Sequence, residues 1–321
     1  MMKKILLTGA SGFIGTNLIE YLKDRYIVCN IDVNEPKLQS HISYWKNIDV
    51  TNFLTLKDII LDFSPNYIIH LAARTDLLGK TTNDYSANTI GTLNLLKITN
   101  VLPNLEKILL TSSMLVCHTG YSPKNQFDYA PTTSYGQSKA EAEKMVWNNA
   151  PSCDWAIIRP TSIWGPWFGE PYRTFFEMVA SRKYFHIGNK GCTKTYGYVG
   201  NAVYQIESIM LADTKNVKNK VFYIGDEPAN NIEEWANEIA TELDIHIMRI
   251  PYFWMKCAAY IGDILKKLKI NFPMTSFRLN NMTTNNVVNL AETNKIAPHL
   301  PFTRVDGIKN TIKWMRNAKL I

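Results

Sequence analysis

Short apolar runs alternate with stretches of helical periodicity through the first half of the chain. The apolar runs lie at residues 5–7, 26–31, 67–71, 107–110 and 155–158. The helical patterns between them lie at residues 17–22, 88–98 and 140–146. This alternation predicts an α/β fold in which helices cover both faces of a parallel sheet. Because ligands of such sheets bind beyond the carboxyl ends of the strands, polar residues that follow the apolar runs are candidates for chemistry.

From about residue 166 the pattern becomes aromatic and less regular. The aromatic residues of this stretch are Trp164, Trp167, Phe168, Tyr172, Phe175, Phe176, Tyr184 and Phe185. They predict the core of a smaller domain, and the alternative is a substrate pocket in which one ring stacks on a base or another ring. A strand at residues 221–225 and a helix at residues 232–243 follow.

A further amphipathic helix is predicted over residues 252–268, with Lys256, Lys266 and Lys267 on or near its polar side. We expect this helix to pack against its own domain, and the alternative is that it lies on a membrane surface. No segment approaches the length of a membrane span. His186 has no identifiable partner in the sequence and is predicted to lie on a loop.

A glycine-rich turn follows the first apolar run directly. Gly9, Gly12 and Gly15 lie between a predicted strand and a predicted helix. Glycines in this context let the backbone approach a pyrophosphate that is held at the helix N-terminus. Successive glycines are three and three residues apart, whereas in many dehydrogenases they are two and three residues apart. The prediction therefore depends on the position of the turn between a strand and a helix.

Asp32 ends the second apolar run, twenty-three residues after Gly9. A carboxylate at this place can accept hydrogen bonds from both hydroxyls of an adenosine ribose and would repel a 2′-phosphate. Val33, Asn34 and Glu35 follow it, so no arginine is at hand to bind such a phosphate. The sequence therefore favours NAD over NADP.

Tyr135 and Lys139 are four residues apart, so on a helix they share one face. An ammonium beside a phenol lowers a pKa that is otherwise near 10, which predicts a phenolate base near neutral pH. Ser113 follows the strand that ends near Leu110 and is placed to hold the same substrate hydroxyl. The pair alone is common by chance on amphipathic helices, so the nucleotide-binding features beside it decide the interpretation. We predict Ser113, Tyr135 and Lys139 as the catalytic residues of hydride transfer between NAD and a secondary alcohol.

Composition narrows the class of protein. The chain has 321 residues and a net charge of +7, spread without a run of like charge, so nucleic acid is not an expected partner. The five cysteines are scattered and lack metal-ligand spacing, so we expect free thiols, no metal site and a cytoplasmic protein. The N-terminal lysines and residues 5–7 imitate the start of a signal peptide, but the hydrophobic region is too short.

Taken together, these features resemble the extended short-chain dehydrogenase/reductase family, especially its branch of nucleotide-sugar epimerases and dehydratases. The matching stretches are residues 8–15, 32, 49–50, 70–73, 88–92, 111–113, 135 with 139, 159–160 with 165–166, and 198–199. The resemblance covers nearly the whole chain. It implies a Rossmann-type, doubly wound parallel sheet formed by residues 1–166 with about 191–225. It also implies a smaller, mixed α/β substrate-binding domain formed by about 167–190 with 226–321.

The resemblance further implies roles for single residues. Asp49 and Val50 would contact adenine, Ala72 would line the pyrophosphate, Asn88 would order the central helix, and Pro160 would lie near the carboxamide. The residues predicted to bind NAD are Gly9, Ser11, Gly12, Phe13, Ile14, Gly15, Asp32, Asp49, Val50, Leu71, Ala72, Ala73, Asn88, Tyr135, Lys139 and Pro160. The family commonly forms homodimers through two helices of each chain, here those predicted from Asn88 and from Ser138.

The chain departs from the family pattern around the substrate. Dehydratases follow the catalytic hydroxyl residue with an aspartate and a glutamate, and here Met114 and Leu115 stand at those positions, so dehydration is not expected. Ser162 replaces a usual asparagine and Lys194 a usual arginine, whereas Arg278 could match the second arginine that binds the diphosphate. The predicted substrate-binding residues are Arg74, Ser162, Lys194 and Arg278.

Three hypotheses for function remain open from the sequence. The leading one is an NAD-dependent nucleotide-sugar epimerase that passes through a transient ketone, with Tyr135 as base. The second is an NAD(H)-dependent dehydrogenase or reductase of a keto-sugar or another secondary alcohol, such as a hydroxysteroid. The third is a non-catalytic dinucleotide sensor, which the complete catalytic trio disfavours.

Overall fold

The computed structural model describes residues 2–188, 191–268, 270, 272 and 274–321. In chain order the strands are β1 (Lys4–Thr8), β2 (Ile27–Asp32), β3 (Trp45–Asn47), β4 (Tyr67–His70), β5 (Lys107–Thr111), β6 (Asp154–Pro160), β7 (Ser162–Trp164), β8 (Phe185–Ile187), β9 (Thr193–Lys194), β10 (Tyr196–Tyr198), β11 (Lys220–Ile224), β12 (Asn230–Asn231) and β13 (Met248–Ile250). The helices are α1 (Phe13–Leu22), α2 (Phe53–Phe63), α3 (Ser86–Thr99), α4 (Ser134–Asn148), α5 (Tyr172–Ala180), α6 (Val199–Leu211), α7 (Thr214–Val217), α8 (Ile232–Glu242), α9 (Tyr252–Lys267), α10 (Ser276–Thr283), α11 (Ala291–Ile296) and α12 (Arg304–Asn317).

The central sheet of the described chain has seven parallel strands in the order β11-β6-β5-β4-β1-β2-β3. The predicted α/β class and the doubly wound parallel sheet are confirmed. The chain builds outward from β1 to β3 and then returns to place β4 on the other side of β1. This reversal makes a crevice at the carboxyl edge of the sheet, where ligands of such folds bind.

Helices cover both faces of the sheet, and the alternation of side chains along β1 shows how. Ile5 and Leu7 pack in an apolar cluster with residues of α1 and α6, whereas Leu6 packs in a second cluster with residues of α2 and α3. Successive side chains of a strand point to opposite faces, so each fully buried strand supplies both clusters.

The first cluster continues into the aromatic region. Trp164 and Trp235 are fully buried, and Phe175 stacks on Trp235 with ring centroids 4.7 Å apart. These rings therefore belong to the hydrophobic core, which agrees with the first of the two interpretations of the aromatic stretch. Short strand pairs of both directions surround them: β7 with β10 and β8 with β13 are parallel, and β9 with β12 is antiparallel.

Two local features differ from the sequence-based expectation. Helix α4 begins at Ser134, earlier than the predicted start, because the Thr133 hydroxyl accepts a hydrogen bond from the Gly136 amide at 3.0 Å and caps the helix. The loop predicted around His186 is wrong. His186 is buried on β8, which pairs with β13, and its Nε2 lies 2.8 Å from Oδ1 of Asn237.

Candidate active site

Two of the three glycines in the turn pack too closely against neighbouring backbone to be replaced by a larger residue. Gly9 has φ of +75°, and a Cβ added there would lie 2.5 Å from the Ala72 backbone. A Cβ on Gly15 would lie 2.2 Å from Cα of Ala10, so this glycine allows α1 to approach the turn. A Cβ on Gly12 would meet only the Gly9 carbonyl, at 3.2 Å. The turn therefore leaves an open cradle at the N-terminus of α1, which suits a pyrophosphate.

Asp32 lies at the end of β2, directly beside this cradle. The Ser11 amide donates to its Oδ2 at 3.0 Å, and the Asn34 amide donates to its Oδ1 at 2.9 Å. The side chain is almost fully buried, and each carboxylate oxygen keeps further lone pairs for ribose hydroxyls. The residues present thus fit the adenosine end of NAD.

Asn30 organises the turn, although the sequence analysis did not single it out. Its Oδ1 accepts from the Ala10 amide at 3.0 Å, and its Nδ2 donates to Oγ of Ser11 at 3.1 Å. It is fully buried on a strand that is otherwise mostly apolar. An amide inside an apolar run is the signal that could have identified it, because a buried polar side chain requires partners.

His70 is a second residue that the sequence analysis did not assign. Its Nδ1 lies 2.7 Å from Oγ1 of Thr8, and its Nε2 lies 3.2 Å from Oγ1 of Thr92. Burial lowers its pKa to about 3, so the ring is neutral and joins β1, β4 and α3 through hydroxyls. The same Thr8 hydroxyl accepts from the Ala72 amide at 3.2 Å, so Thr8 links His70 to the loop that passes beside Gly9.

Asn88 connects the central helix to both sides of the crevice. Its Oδ1 accepts from the Arg74 amide at 2.8 Å, and its Nδ2 donates to the Arg74 carbonyl at 3.1 Å and to Oγ of Ser138 at 2.9 Å. The side chain is fully buried. It therefore holds the loop after β4 against α4, the helix that carries the predicted base.

The predicted catalytic residues meet at the carboxyl end of β5. Tyr135 lies in the first turn of α4 and is 7% exposed, and Ser113 caps the short helical turn Met114–Val116 and is 8% exposed. The Ser113 hydroxyl accepts from the Leu115 amide at 3.1 Å. Lys139 lies one turn further along α4, and its Nζ donates to the Thr111 carbonyl at 2.8 Å.

The electrostatics of this pair differ from the sequence-based expectation. Burial raises the pKa of Tyr135 to about 12, and the hydrogen bond to Ser113 opposes that rise only in part. Burial also lowers the pKa of Lys139 to about 8, against the attraction of Glu143. The expected lowering of the phenol pKa by Lys139 is therefore wrong for the protein alone. The ammonium binds a backbone carbonyl, and the loss of hydration on burial is the largest effect on both groups.

A buried ion pair fixes α4 on the sheet. Nε and Nη2 of Arg159 donate to the two carboxylate oxygens of Glu143 at 2.8 and 2.6 Å. Both side chains are almost fully buried, and Arg159 also donates to the Tyr223 hydroxyl at 2.9 Å. Glu143 lies one helical turn after Lys139, so this pair sets where the catalytic face of α4 lies relative to β6. In the sequence, Arg159 stands out only as part of the family motif with Pro160.

The other predicted cofactor residues surround the crevice. Phe13 packs towards Phe168, with ring centroids 6.3 Å apart, and half-buried Ile14 follows it on α1. Asp49 accepts from the Thr51 amide at 2.8 Å. Val50 is buried, Ala73 follows Ala72 in the loop after β4, and half-buried Pro160 ends β6 at the carboxyl edge.

The predicted substrate residues divide into separate groups. The Arg74 guanidinium pairs with Asp76, with Nε 2.7 Å from Oδ2, near the surface. Ser162 is buried and accepts from the Tyr172 hydroxyl at 2.7 Å.

The other two predicted substrate residues meet at α10. Nζ of Lys194 donates to the Asn281 carbonyl at 2.7 Å, and burial lowers the lysine pKa. The Arg278 amide donates to Oγ1 of Thr275 at 3.2 Å, in the first turn of the same helix. The structure thus brings Lys194 and Arg278 to one helix.

Comparison with known proteins agrees with this geometry. Residues 5–225 match the family model described as the NAD dependent epimerase/dehydratase family. The chain is 27% identical to N-acetyl-alpha-D-glucosaminyl-diphospho-ditrans,octacis-undecaprenol 4-epimerase of Escherichia coli O157:H7, over 98% of this chain and 96% of the relative. It is 24% identical to a decarboxylating sterol-4-alpha-carboxylate 3-dehydrogenase of Saccharomyces cerevisiae, over 97% of each chain.

A solved structure shows the same fold. UDP-glucuronic acid 4-epimerase from Bacillus cereus in complex with NAD superposes with a TM-score of 0.76 at 18% identity, over 98% of this chain and 96% of that one. The family model covers more than half of the chain, and its members depend on NAD. The resemblance predicted from the sequence is confirmed: the chain belongs to the NAD-dependent epimerase/dehydratase family and is an enzyme that uses NAD.

Proposed function

We propose that the protein is an NAD-dependent 4-epimerase of a sugar that is linked to a diphosphate, with nucleotide-sugars as the first class of substrate. The observation that carries this proposal is the meeting of Ser113, Tyr135 and Lys139 at the same carboxyl edge of the sheet as the glycine cradle, without acidic residues directly after Ser113. Met114 and Leu115 occupy the turn where a dehydratase has its acids. Relatives named as 4-epimerases support the position of the reaction on the sugar.

The proposed chemistry assigns one role to each side chain. The Tyr135 hydroxyl exchanges a proton with the sugar hydroxyl at C4, and Ser113 holds that same hydroxyl by a hydrogen bond. Lys139 supplies positive charge within the same buried space. The chemistry that NAD supplies when bound is reversible acceptance of hydride. The glycine cradle and Asp32 would hold its pyrophosphate and adenosine ribose.

The proposal predicts conversion without net redox change. Incubation with UDP-glucose, UDP-N-acetylglucosamine or UDP-glucuronic acid is expected to produce the C4 epimer of at least one of them, while absorbance at 340 nm stays flat. Epimers are measured by chromatography of the released sugar. Formation of NADH in step with product would contradict the epimerase and favour a dehydrogenase.

A dehydrogenase of a hydroxysteroid or another secondary alcohol is the second candidate. The relative from Saccharomyces cerevisiae, which matches along 97% of both chains, favours it. The two candidates share the proton chemistry of Tyr135 and differ in whether the ketone is released. The absorbance assay at 340 nm separates them when it is repeated with NAD and a hydroxysteroid: NADH formation there, with no epimer formed from the nucleotide-sugars, would favour the dehydrogenase.

We further propose that residues 1–166 with about 191–225 bind the cofactor and that about 167–190 with 226–321 bind the substrate. Residues 189 and 190, at one of these boundaries, lie outside the described residues. All five cysteines are unpaired, which supports a reducing cytoplasmic location.

We also propose a homodimer that forms through α3 and α4. The two helices pack side by side, and Ile90 of α3 is 48% exposed. Light scattering is expected to give twice the chain mass of 36.7 kDa, and Ile90→Arg is expected to give a single chain mass. Leu54→Arg, at an exposed apolar position of α2, is the control and should leave the mass unchanged. A wild-type protein of single mass would contradict the proposal.

A further inference from the structure

Helix α9 is apolar on two opposite sides, and among the residues that the structure describes only one of these sides is covered. The covered side carries Met255, Ala259 and Gly262, and it packs with α10 in a small cluster separate from the main core. The approach is close: a Cβ on Gly262 would lie 1.7 Å from the Met274 carbonyl oxygen. The anchored side therefore fixes which residues of α9 face outward.

The outward side forms a surface that we term the α9 face. Its members are the exposed side chains Phe253, Trp254, Tyr260, Ile261, Ile264 and Leu268. Their exposed fractions lie between 46% and 68%. At about 100° per residue, Phe253, Tyr260 and Ile264 point almost directly away from Met255. A stripe of this length, about 24 Å from the rise per residue of a helix, is unusual on a surface that stays in water.

Positive charge borders the α9 face. Lys256 and Lys267 lie along one edge of the stripe. The nearest acidic residue on the helix is Asp263, and its carboxylate accepts a hydrogen bond from the Ser276 amide at 3.1 Å at the N-terminus of α10. Apolar and aromatic side chains beside lysines are the combination that binds an anionic lipid surface.

The aromatic residues strengthen this choice of partner. Trp254 and Tyr260 each combine an apolar ring with one polar atom, which suits the boundary between headgroups and acyl chains. Among the described residues, no helix has the length and apolarity needed to cross a bilayer. We propose that α9 lies in the plane of an anionic membrane surface, with the α9 face buried among the lipids.

The helix is connected to the predicted substrate residues. Helix α9 packs on α10, and the Asn281 carbonyl of α10 accepts from Nζ of Lys194. One consequence rests on the proposed function. If the substrate is a lipid-linked sugar, docking through α9 places its diphosphate end near Lys194. The docking itself does not depend on the function, because vesicle binding is measured without substrate.

The test is sedimentation of the full-length protein with vesicles of phosphatidylcholine alone or with phosphatidylglycerol added. We expect binding to the vesicles that contain phosphatidylglycerol, weaker binding to neutral ones, and loss of affinity as salt is raised. The double variant Phe253→Glu and Ile264→Glu is expected to reduce partitioning by about tenfold or more. The matched control is Leu54→Glu with Leu61→Glu, two exposed leucines on α2, which should bind like the wild type.

A second pair of variants tests the charge. Lys256→Glu with Lys267→Glu should weaken binding to anionic vesicles, whereas Lys309→Glu with Lys313→Glu, on exposed positions of α12, should not. Unchanged circular dichroism and epimerase activity on a soluble nucleotide-sugar show that the variants are folded. The proposal would be overturned if the wild type did not bind vesicles. It would also be overturned if the α2 and α12 control variants lost as much vesicle binding as the α9 variants. A third outcome is a wild-type dimer that does not bind vesicles and that the Phe253 and Ile264 substitutions dissociate. It would show that a second copy of the chain covers the α9 face instead.

Discussion

Replacing Tyr135 with phenylalanine is expected to reduce turnover by about 10²–10⁴-fold, the range that removal of a positioned acid-base group produces. The change removes only Oη, and the ring keeps its packing beside Tyr85, with centroids 6.0 Å apart. The fold should therefore stay intact, and NAD should still bind. Turnover is measured as epimer formed per enzyme from the nucleotide-sugar that the wild type converts.

Tyr67→Phe is the matched control for this substitution. Tyr67 is also buried, and its hydroxyl donates to Glu106 at 2.8 Å, at the opposite edge of the sheet from the crevice. Loss of that hydroxyl should leave turnover unchanged. Wild-type turnover in the Tyr135 variant would remove Tyr135 from the role of base.

The pH profile adds a second readout of the same prediction. Because burial raises the pKa of Tyr135 to about 12, the phenolate is scarce at neutral pH and its fraction rises with pH. Lys139 has its pKa lowered to about 8, so its positive charge is lost as pH passes that value. The wild-type rate should therefore rise with pH and level off near pH 8. The residual rate of Tyr135→Phe should lack the rising limb.

Breaking the buried ion pair should have the largest effect on stability. Arg159→Met leaves the carboxylate of Glu143 buried without its cation, and the expected loss is about 3–5 kcal/mol in the free energy of unfolding. The Tyr223 hydroxyl loses its partner as well. Urea denaturation of the variant and the wild type measures the difference. The same variant should lose turnover, since α4 carries Tyr135 and Lys139.

Two comparisons make this second prediction specific. Arg173→Met breaks a half-exposed pair with Glu177 on α5 and should cost less than about 1 kcal/mol. Adding Glu143→Leu to Arg159→Met removes the orphaned charge and should recover much of the lost stability. A single Arg159 variant as stable as Arg173→Met would show that the pair does not hold α4.

The cofactor half of the site was accessible from the sequence because its signals are local. The turn with Gly9, Gly12 and Gly15 lies between adjacent elements, and Asp32 follows the next strand. A parallel sheet brings the carboxyl ends of its strands to one edge, so order along the chain predicts proximity there. The structure places Ser11 and Asp32 in direct contact, as that argument requires.

The residues that hold the site in place could not be predicted from the sequence in the same way. His70 contacts Thr8 from a strand sixty-two residues away, and Arg159 contacts Glu143 across a helix-sheet interface. Such partners are chosen by packing, and a single sequence does not show which buried polar groups meet. Asn30 and His70 are polar residues within apolar runs, and this position indicates that each must have hydrogen-bond partners inside the fold.

The amino-acid sequence by itself determined the family, the doubly wound sheet, the cofactor and the candidate trio, because each depends on short patterns in strands, turns and helices. Only the tertiary structure decided the electrostatics of Tyr135 and Lys139, since burial changes the hydration of a charge and spacing along a helix does not report burial. It also decided which apolar side of α9 the described part of the chain buries, because both sides of that helix are apolar in sequence and packing selects one of them.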